Sequence, residues 1–345
     1  MKYIDKIYGE FEISEPVILE LINSPVLQRL KGIDQSGYNP IWPGREIGIK
    51  GNEGSRFAHS MGVYLLLRKY NAPIEEQIAG LIHDVSHSAF SHCIDYVLDS
   101  GSEEKHTYQD DIFEKFVKNT EIPMIIDKHG FNLEYILEED NFPLKERALP
   151  DLCADRIDYS LRGAIFYKEI NNEELKYFLN NLEVEKNNWV FRDFKSAKKY
   201  AELFLKMNKV HYAGLTSAIM FRTVGDFLKY SLRKGYISKE DLYTTDKIVL
   251  DKINKFLEKD KKLKLLWERM NDKTKTVNDR ENYDVQVSCK SRIVDPLFKK
   301  GNTIKKLSDE YLEWNNTVRE ELAPKKYFLR FKDKAKREYY GEKYL

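Results

Sequence analysis

Cysteine is scarce in this chain: Cys93, Cys153 and Cys289 are too few and too scattered for a disulfide framework or a cysteine-based zinc site. A reducing cytoplasm fits that scarcity. Net charge is nearly absent as well. With 57 Lys and Arg against 56 Asp and Glu, no global field draws the protein to nucleic acid or an anionic membrane, so an anionic ligand must be held by a local site. No stretch reaches the roughly 20 apolar residues that span a bilayer. The N-terminal MKYIDKIYGEFEISEP alternates charged with apolar side chains and lacks the apolar run of a secretory signal. A cytoplasmic protein with no membrane or nucleic-acid partner is expected. Disorder is excluded by a hydrophobic content of 42% with 22 Tyr and 18 Phe.

What is present is mostly helical patterning. Residues 16–36 show helical spacing broken by Ser24-Pro25, a pair suited to starting a second helix. Residues 37–55 carry too many Gly and Pro for regular structure and read as a loop. Periodicity then predicts helices over 59–70, 74–84, 90–98, 106–117 and 144–165, with Pro150 starting or kinking the last. A small hairpin is expected over 182–194, then long helices over 196–235 and 239–256. Strands are expected within 283–294 and 326–331, with a helix over 303–322 between them. The expected architecture is therefore a mostly α-helical core with a helical extension, residues 1–280, and a small mixed α/β appendage, residues 281–345.

The densest chemistry lies in Leu81-Ile82-His83-Asp84-Val85-Ser86-His87-Ser88-Ala89-Phe90-Ser91-His92, three His and one Asp after an apolar helix. Imidazole and carboxylate suit a divalent Zn, Mn, Fe, Co or Ni ion. Arg56-Phe57-Ala58-His59 upstream and Asp155-Arg156-Ile157-Asp158-Tyr159 downstream complete a three-part constellation, and three helices of a bundle can converge on one ion. Taken alone, His59 on an amphipathic helix would be a hydrogen-bonded core residue, and His87, His92 and His106 could be caps or surface residues. Their joint occurrence favours the metal reading. His129 and His211 read as structural, Cys153 as packing, and Asp158, one turn beyond Asp155, as a hydrogen-bonding or salt-bridging residue outside the ligand set. The Lys-rich stretches 255–275 and 325–343 are interleaved with acids and read as solvated faces.

The order His, then His-Asp, then Asp resembles the HD superfamily of phosphohydrolases. Gln28-Arg29-Leu30-Lys31-Gly32-Ile33-Asp34-Gln35, Arg56 to Val63, His83 to His92, Asp155 to Tyr159 and Ser291-Arg292-Ile293-Val294-Asp295-Pro296 resemble segments of its deoxynucleoside triphosphate triphosphohydrolase branch, which includes the dGTPases. The resemblance implies that His59, His83, Asp84 and Asp155 ligate one divalent metal ion, with Mg as a companion of the nucleotide. It implies His87 and His106 as proton donors or charge stabilisers, and Asp95 as the residue orienting one of them. It places Arg56, Gln35, Arg156, Tyr159 and His92 against phosphate and sugar, and it implies a homo-oligomer. The expected reaction is hydrolysis of a dNTP, dGTP among them, to deoxynucleoside and tripolyphosphate. Alternatives are a nucleoside monophosphatase or phosphodiesterase, or a nucleotide-sensing oligomer without catalysis. Three departures stand out: Ser86 precedes the second histidine where relatives carry Gly, Ser88-Ala89 replaces Gly-Pro, and Gly163 replaces an Asp that contacts the sugar.

Overall fold

The computed structural model describes residues 1–38, 54–98 and 100–333. Most of the loop expected over 37–55, and the end of the 325–343 stretch, lie outside them. The chain is mostly helical with small sheets, as its periodicity predicts. It opens with a hairpin the sequence reading did not resolve, β1 Lys2–Asp5 and β2 Gly9–Glu12, followed by α1 Pro16–Asn23 and α2 Pro25–Arg29. Pro25 sits in the first turn of α2, where its missing N–H costs nothing, and the Ser24 hydroxyl accepts from Leu27 N.

Helix α3, Arg56–Lys69, is buried along every face from Arg56 to Leu67 and packs against α4, Ile74–Ile82, and α8, Ala154–Phe166. A helix buried all round is the centre of a core rather than its cover. Between α4 and α8 run α5 Tyr108–Lys118, α6 Ile122–Lys128 and α7 Leu133–Leu137. Two expected helices of this first half are corrected. Residues 91–96 form a 3₁₀ turn, entered through left-handed Phe90 (φ 61°) and Ser91 (φ 48°) because Phe90 N is drawn to the Asp246 carboxylate 2.8 Å away. Residues 144–153 are turns, and α8 starts only at Ala154.

After α9, Asn172–Asn180, the hairpin appears as β3 Leu182–Glu185 and β4 Asn188–Phe191, joined by Lys186 and Asn187, both at positive φ as a two-residue hairpin turn requires. The long helix expected over 196–235 is two, α10 Phe194–Met207 and α11 Leu215–Arg233, divided by a wide turn over 208–212. Gly214 permits the break: a Cβ there would lie 2.6 Å from the Lys209 carbonyl oxygen. Helices α12 Asp246–Asn254 and α13 Lys261–Asn271 follow. The last third supplies β5 Thr276–Asn278, β6 Val285–Cys289, β7 Leu297–Lys300, β8 Thr303–Lys306, α14 Leu307–Glu310, α15 Leu312–Glu321 and β9 Lys325–Phe331. The start of the helix expected over 303–322 is thus a strand. One sheet runs β3-β4-β7-β8 and another β5-β9-β6, so strands beyond residue 281 pair with strands before it. The core has two main parts, and the 83–93 segment passes between them: Val85 belongs to the first, Ala89 to Cys93 to the second.

Candidate metal centre

Ser55 caps α3 through its hydroxyl, 3.1 Å from Ala58 N, and this fixes Arg56 and His59 in the first turn. The C-terminus of α4, where carbonyl dipoles favour a cation, delivers His83 and Asp84. Asp155 stands in the first turn of α8. These three helix ends bring four acceptor groups together. His59 Nε2 lies 2.9 Å from Asp155 Oδ1 and 3.2 Å from His83 Nε2, while Asp84 Oδ1 is 3.5 Å from His83 Nε2.

The outward nitrogens settle which atoms face inward. His59 Nδ1 donates to Asp158 Oδ2 at 2.7 Å and His83 Nδ1 donates to the Gly80 carbonyl at 2.8 Å. With both Nδ1 atoms acting as donors, the neutral rings present Nε2 lone pairs to each other and to two carboxylates. Such a set fits a small divalent cation: His59, His83 and Asp155 have their donor atoms within 4.8 Å of one another, and Asp84 stands beside them, 3.5 Å from His83 Nε2 and 3.8 Å from His59 Nε2. The field agrees. Burial alone would lower the His59 pKa, yet hydrogen bonds to Asp155 and Asp158 and the Asp84 charge raise it to about 9, so the position favours positive charge. Burial would raise the Asp84 carboxyl, but the Arg56 guanidinium and neighbouring imidazoles hold it well below the usual range.

Arg56 is 4% exposed and bonds inward: Nη1 to Asp84 Oδ2 (2.8 Å), Nε to Ser91 Oγ (3.0 Å) and Nη2 to the Gln35 carbonyl (3.1 Å). It therefore ties the Gln35 turn, the metal centre and the histidine loop together, with two of its five N–H groups left over among the described residues. Arg29 holds the same loop from behind, donating to the carbonyls of Val85 and His87 at 2.7 and 2.8 Å. The loop needs no glycine at Ser86 or Ser88, since its left-handed residues are Phe90 and Ser91.

His87 is buried, with Nε2 3.3 Å from Asp84 Oδ1. Its ring meets His92 edge-on at 5.0 Å, and His92 stacks on His106 at 5.2 Å. Burial lowers the pKa of His92 and His106 well below the usual imidazole range. The Tyr96 hydroxyl donates to the Ser288 carbonyl (2.6 Å), so its oxygen accepts from His106 Nε2 (2.9 Å). Asp95, expected to orient a histidine, is 3.8 Å from His92 Nδ1, and its other oxygen accepts from Ser102 N and Tyr108 N. Tyr159 sets its ring 6.4 Å from that of His59 and leaves its hydroxyl buried without a partner. Arg156 turns aside, to Glu146 Oε1 and Cys153 Sγ, both at 2.8 Å. Gln35 is half-buried, its amide N–H donating to the Gly54 carbonyl at 3.0 Å. A Cβ at Gly163 would stand 3.1 Å from the Tyr212 hydroxyl, so aromatic side chains occupy that flank. His129 and His211 bind Glu20 and Glu169, each at 2.8 Å, away from this cluster.

Asp158, read from the sequence as a hydrogen-bonding or salt-bridging residue outside the ligand set, does both, though its partner His59 was not foreseen. Asp158, fully buried, receives His59 on one side and on the other Arg162, which also reaches Asp5 of β1 at 3.1 Å. Two signals existed: Asp158 and Arg162 are an i,i+4 pair on the helix that carries Asp155, and Gly62 lies opposite. A Cβ on Gly62 would fall 2.0 Å from Asp158 Oδ1.

No family model matches the chain. It is 37% identical over 298 residues to YdhJ of Bacillus subtilis, an uncharacterized protein, covering 86% of this chain and 88% of YdhJ. It is 39% identical over 178 residues to the metal-dependent phosphohydrolase cns2 of Cordyceps militaris, and 30% identical over 213 residues to the deoxynucleoside triphosphate triphosphohydrolase SAMHD1 of Gallus gallus. The matched part spans 49% of cns2 and 33% of SAMHD1. A phosphohydrolase of Bacteroides thetaiotaomicron has the same fold, with a TM-score of 0.66 at 19% identity, covering 96% of this chain and all of that one. No helix among the described residues is long and apolar enough to cross a membrane.

Proposed function

The chain belongs to the HD-domain metal-dependent phosphohydrolases, and on that footing we propose that it hydrolyses deoxynucleoside triphosphates to deoxynucleoside and tripolyphosphate. His59, His83, Asp84 and Asp155 are the ligands of one divalent transition metal ion. The observation that carries this is the pair of inward Nε2 lone pairs set against two carboxylates, each Nδ1 being committed elsewhere. When bound, such an ion supplies Lewis acidity at a phosphate oxygen and lowers the pKa of water.

The surrounding residues do the rest. His92 and His106 are neutral in the free protein, and an arriving polyphosphate, with about four negative charges, raises their affinity for protons. The histidine row is therefore where a proton for the leaving deoxyribose oxygen is held, a role typically worth about 10²–10⁴-fold. Water adds at the α-phosphorus and gives up one proton, the bond to the 5′-oxygen breaks, and that oxygen takes the proton held by the histidine row, so no proton is gained or lost overall. Tyr159 and Gln35 flank the sugar. Arg56 supplies charge next to the ligand set and keeps Asp84 ionised.

A second reading, hydrolysis of a nucleoside monophosphate or a phosphodiester by the same centre, is favoured by one observation: Gly163 provides no carboxylate for a deoxyribose, and Tyr212 stands against it. Incubation of metal-loaded protein with each dNTP, NTP and nucleoside monophosphate plus Mn²⁺, with products resolved by ion exchange, separates the two. Deoxynucleoside plus tripolyphosphate, lost in Asp84→Ala, is the expected result. Monophosphate plus pyrophosphate, or phosphate release from monophosphates alone, refutes it. Sedimentation with and without nucleotide tests the homo-oligomer that the resemblance implies.

A further inference from the structure

We propose that Lys290 and Arg292 form a second cationic subsite that holds the distal phosphates of the substrate, making them determinants of specificity for a phosphate chain over a single phosphate. The inference rests on the phosphohydrolase reading above and deepens it. Both residues lie on the segment that follows β6, where burial alternates: Cys289 and Ser291 are buried, at 0% and 3% exposure, while Lys290 and Arg292 are half-buried.

The segment is fastened to the histidine row. Tyr96, which accepts from His106, donates to the Ser288 carbonyl at 2.6 Å. Asn208 grips the next residues, donating to Ser291 Oγ and accepting from Arg292 N, both at 2.9 Å. The Arg292 charge acts on His92, His106, Tyr159 and Asp95, and that of Lys290 on His106 and Asp95, so both lie within electrostatic reach of the cluster.

Neither head-group has an ion-pair or hydrogen-bond partner among the described residues. The carboxylates that act on Lys290 include Asp110, Glu146 and Asp95; Glu146 is already held by Arg156 at 2.8 Å, and Asp95 accepts from Ser102 N and Tyr108 N. Burial, with Arg292 beside it, brings the Lys290 ammonium down to about 8. Two neighbouring cations out of bulk water are unfavourable unless an anion joins them. The cluster on which these charges act holds buried polar atoms that also lack partners among the described residues: His87 Nδ1, His92 Nδ1 and Tyr159 Oη. The charge balance calls for them too. Two carboxylate ligands cancel a divalent ion and Glu146 cancels Arg156, which leaves Arg56 alone against a triphosphate carrying about four negative charges.

The test measures binding of inorganic tripolyphosphate and of orthophosphate to the metal-loaded full chain by calorimetry, in wild type, Lys290→Gln, Arg292→Gln and the double variant. Metal content and melting temperature are recorded alongside, and Arg292→Lys serves as the charge-conserving control. Each single variant is expected to weaken tripolyphosphate by about 10-fold or more, the scale of one charge-assisted contact. Orthophosphate and metal binding should be unchanged, and Arg292→Lys should keep most of the affinity. Equal tripolyphosphate affinity in wild type and double variant, or equal losses for both anions, overturns the subsite. If dNTPs are turned over while tripolyphosphate binding ignores these residues, the subsite fails and the triphosphohydrolase reading stands. If only monophosphates are turned over, yet tripolyphosphate binds through Lys290 and Arg292, the subsite stands and that reading fails.

Discussion

Replacing Asp158 should loosen a metal ion that Asp158 does not touch. Its Oδ2 accepts from His59 Nδ1 (2.7 Å) and Arg162 Nε (3.0 Å), and its Oδ1 accepts from Arg162 Nη2 (2.8 Å). In Asp158→Ala the His59 N–H loses its acceptor and the ring is free to rotate or change tautomer. Loss of such an outer partner typically costs about 10–100-fold in metal affinity, equivalent to ~1.4–2.7 kcal/mol. Breaking a buried ion pair costs ~3–5 kcal/mol of stability, and the low end is expected here because Asp5 still pairs with Arg162 at 3.1 Å. Asp158→Asn separates the two effects: its carbonyl can keep His59, while its amide must face the Arg162 donors, so stability should fall more than metal affinity. Gly62→Ala attacks the same carboxylate sterically, since the new methyl would meet Asp158 Oδ1 at 2.0 Å. Chelator-competition titrations with Co²⁺ or Mn²⁺ measure affinity, and melting in chelator measures the stability of the bare fold. Wild-type metal affinity in both Asp158→Ala and Gly62→Ala, with the fold intact, would refute the idea that Asp158 positions His59.

Two further outcomes follow from buried groups near the centre. Burial raises the Asp246 carboxyl to about 8 although it accepts from Asp34 N and Phe90 N. A folded pKa above the unfolded one means that its contribution is complete below about pH 4 and is lost as pH rises through about 8. Melting temperature should therefore decline from about pH 5 to pH 8 and level off above, and Asp246→Asn should flatten that decline; parallel curves for the two proteins would show that Asp246 does not cause it. Tyr96→Phe removes the acceptor of His106 Nε2 and strands the Ser288 carbonyl, which should cost ~1–3 kcal/mol and lower kcat with metal content unchanged. A kcat equal to wild type would separate Tyr96 from the chemistry.

The cluster proposed to hold the metal was legible because its residues come in short motifs at helix ends: His59 three residues after Arg56, His83 beside Asp84, Asp155 in the first turn of α8. Helix existence was legible for the same local reason, a 3.6-residue period. What the sequence hid depends on contacts between distant residues. Phe90 turns left-handed because Asp246, 156 residues away, binds its N–H. Arg156 points to Glu146 rather than to the metal centre, and no periodicity distinguishes those directions. The break between α10 and α11 contains no proline; it needs Gly214 to approach a carbonyl, a demand visible only in three dimensions. The first hairpin was obscured because its strands expose most of their charged and polar side chains, leaving little hydrophobic alternation to read.

The tie from Asp5 through Arg162 and Asp158 to His59 also bears on the order of events during folding. The bond between Asp5 and Arg162 spans 157 residues, and that between His59 and Asp158 spans 99. Contacts of such sequence separation close late, since the loop entropy must be spent before they form. A nascent chain therefore carries loose ligands, not a site, until α8 has docked on α3 and the hairpin on α8. Metal then arrives at a nearly finished protein, where it retards unfolding far more than it speeds folding.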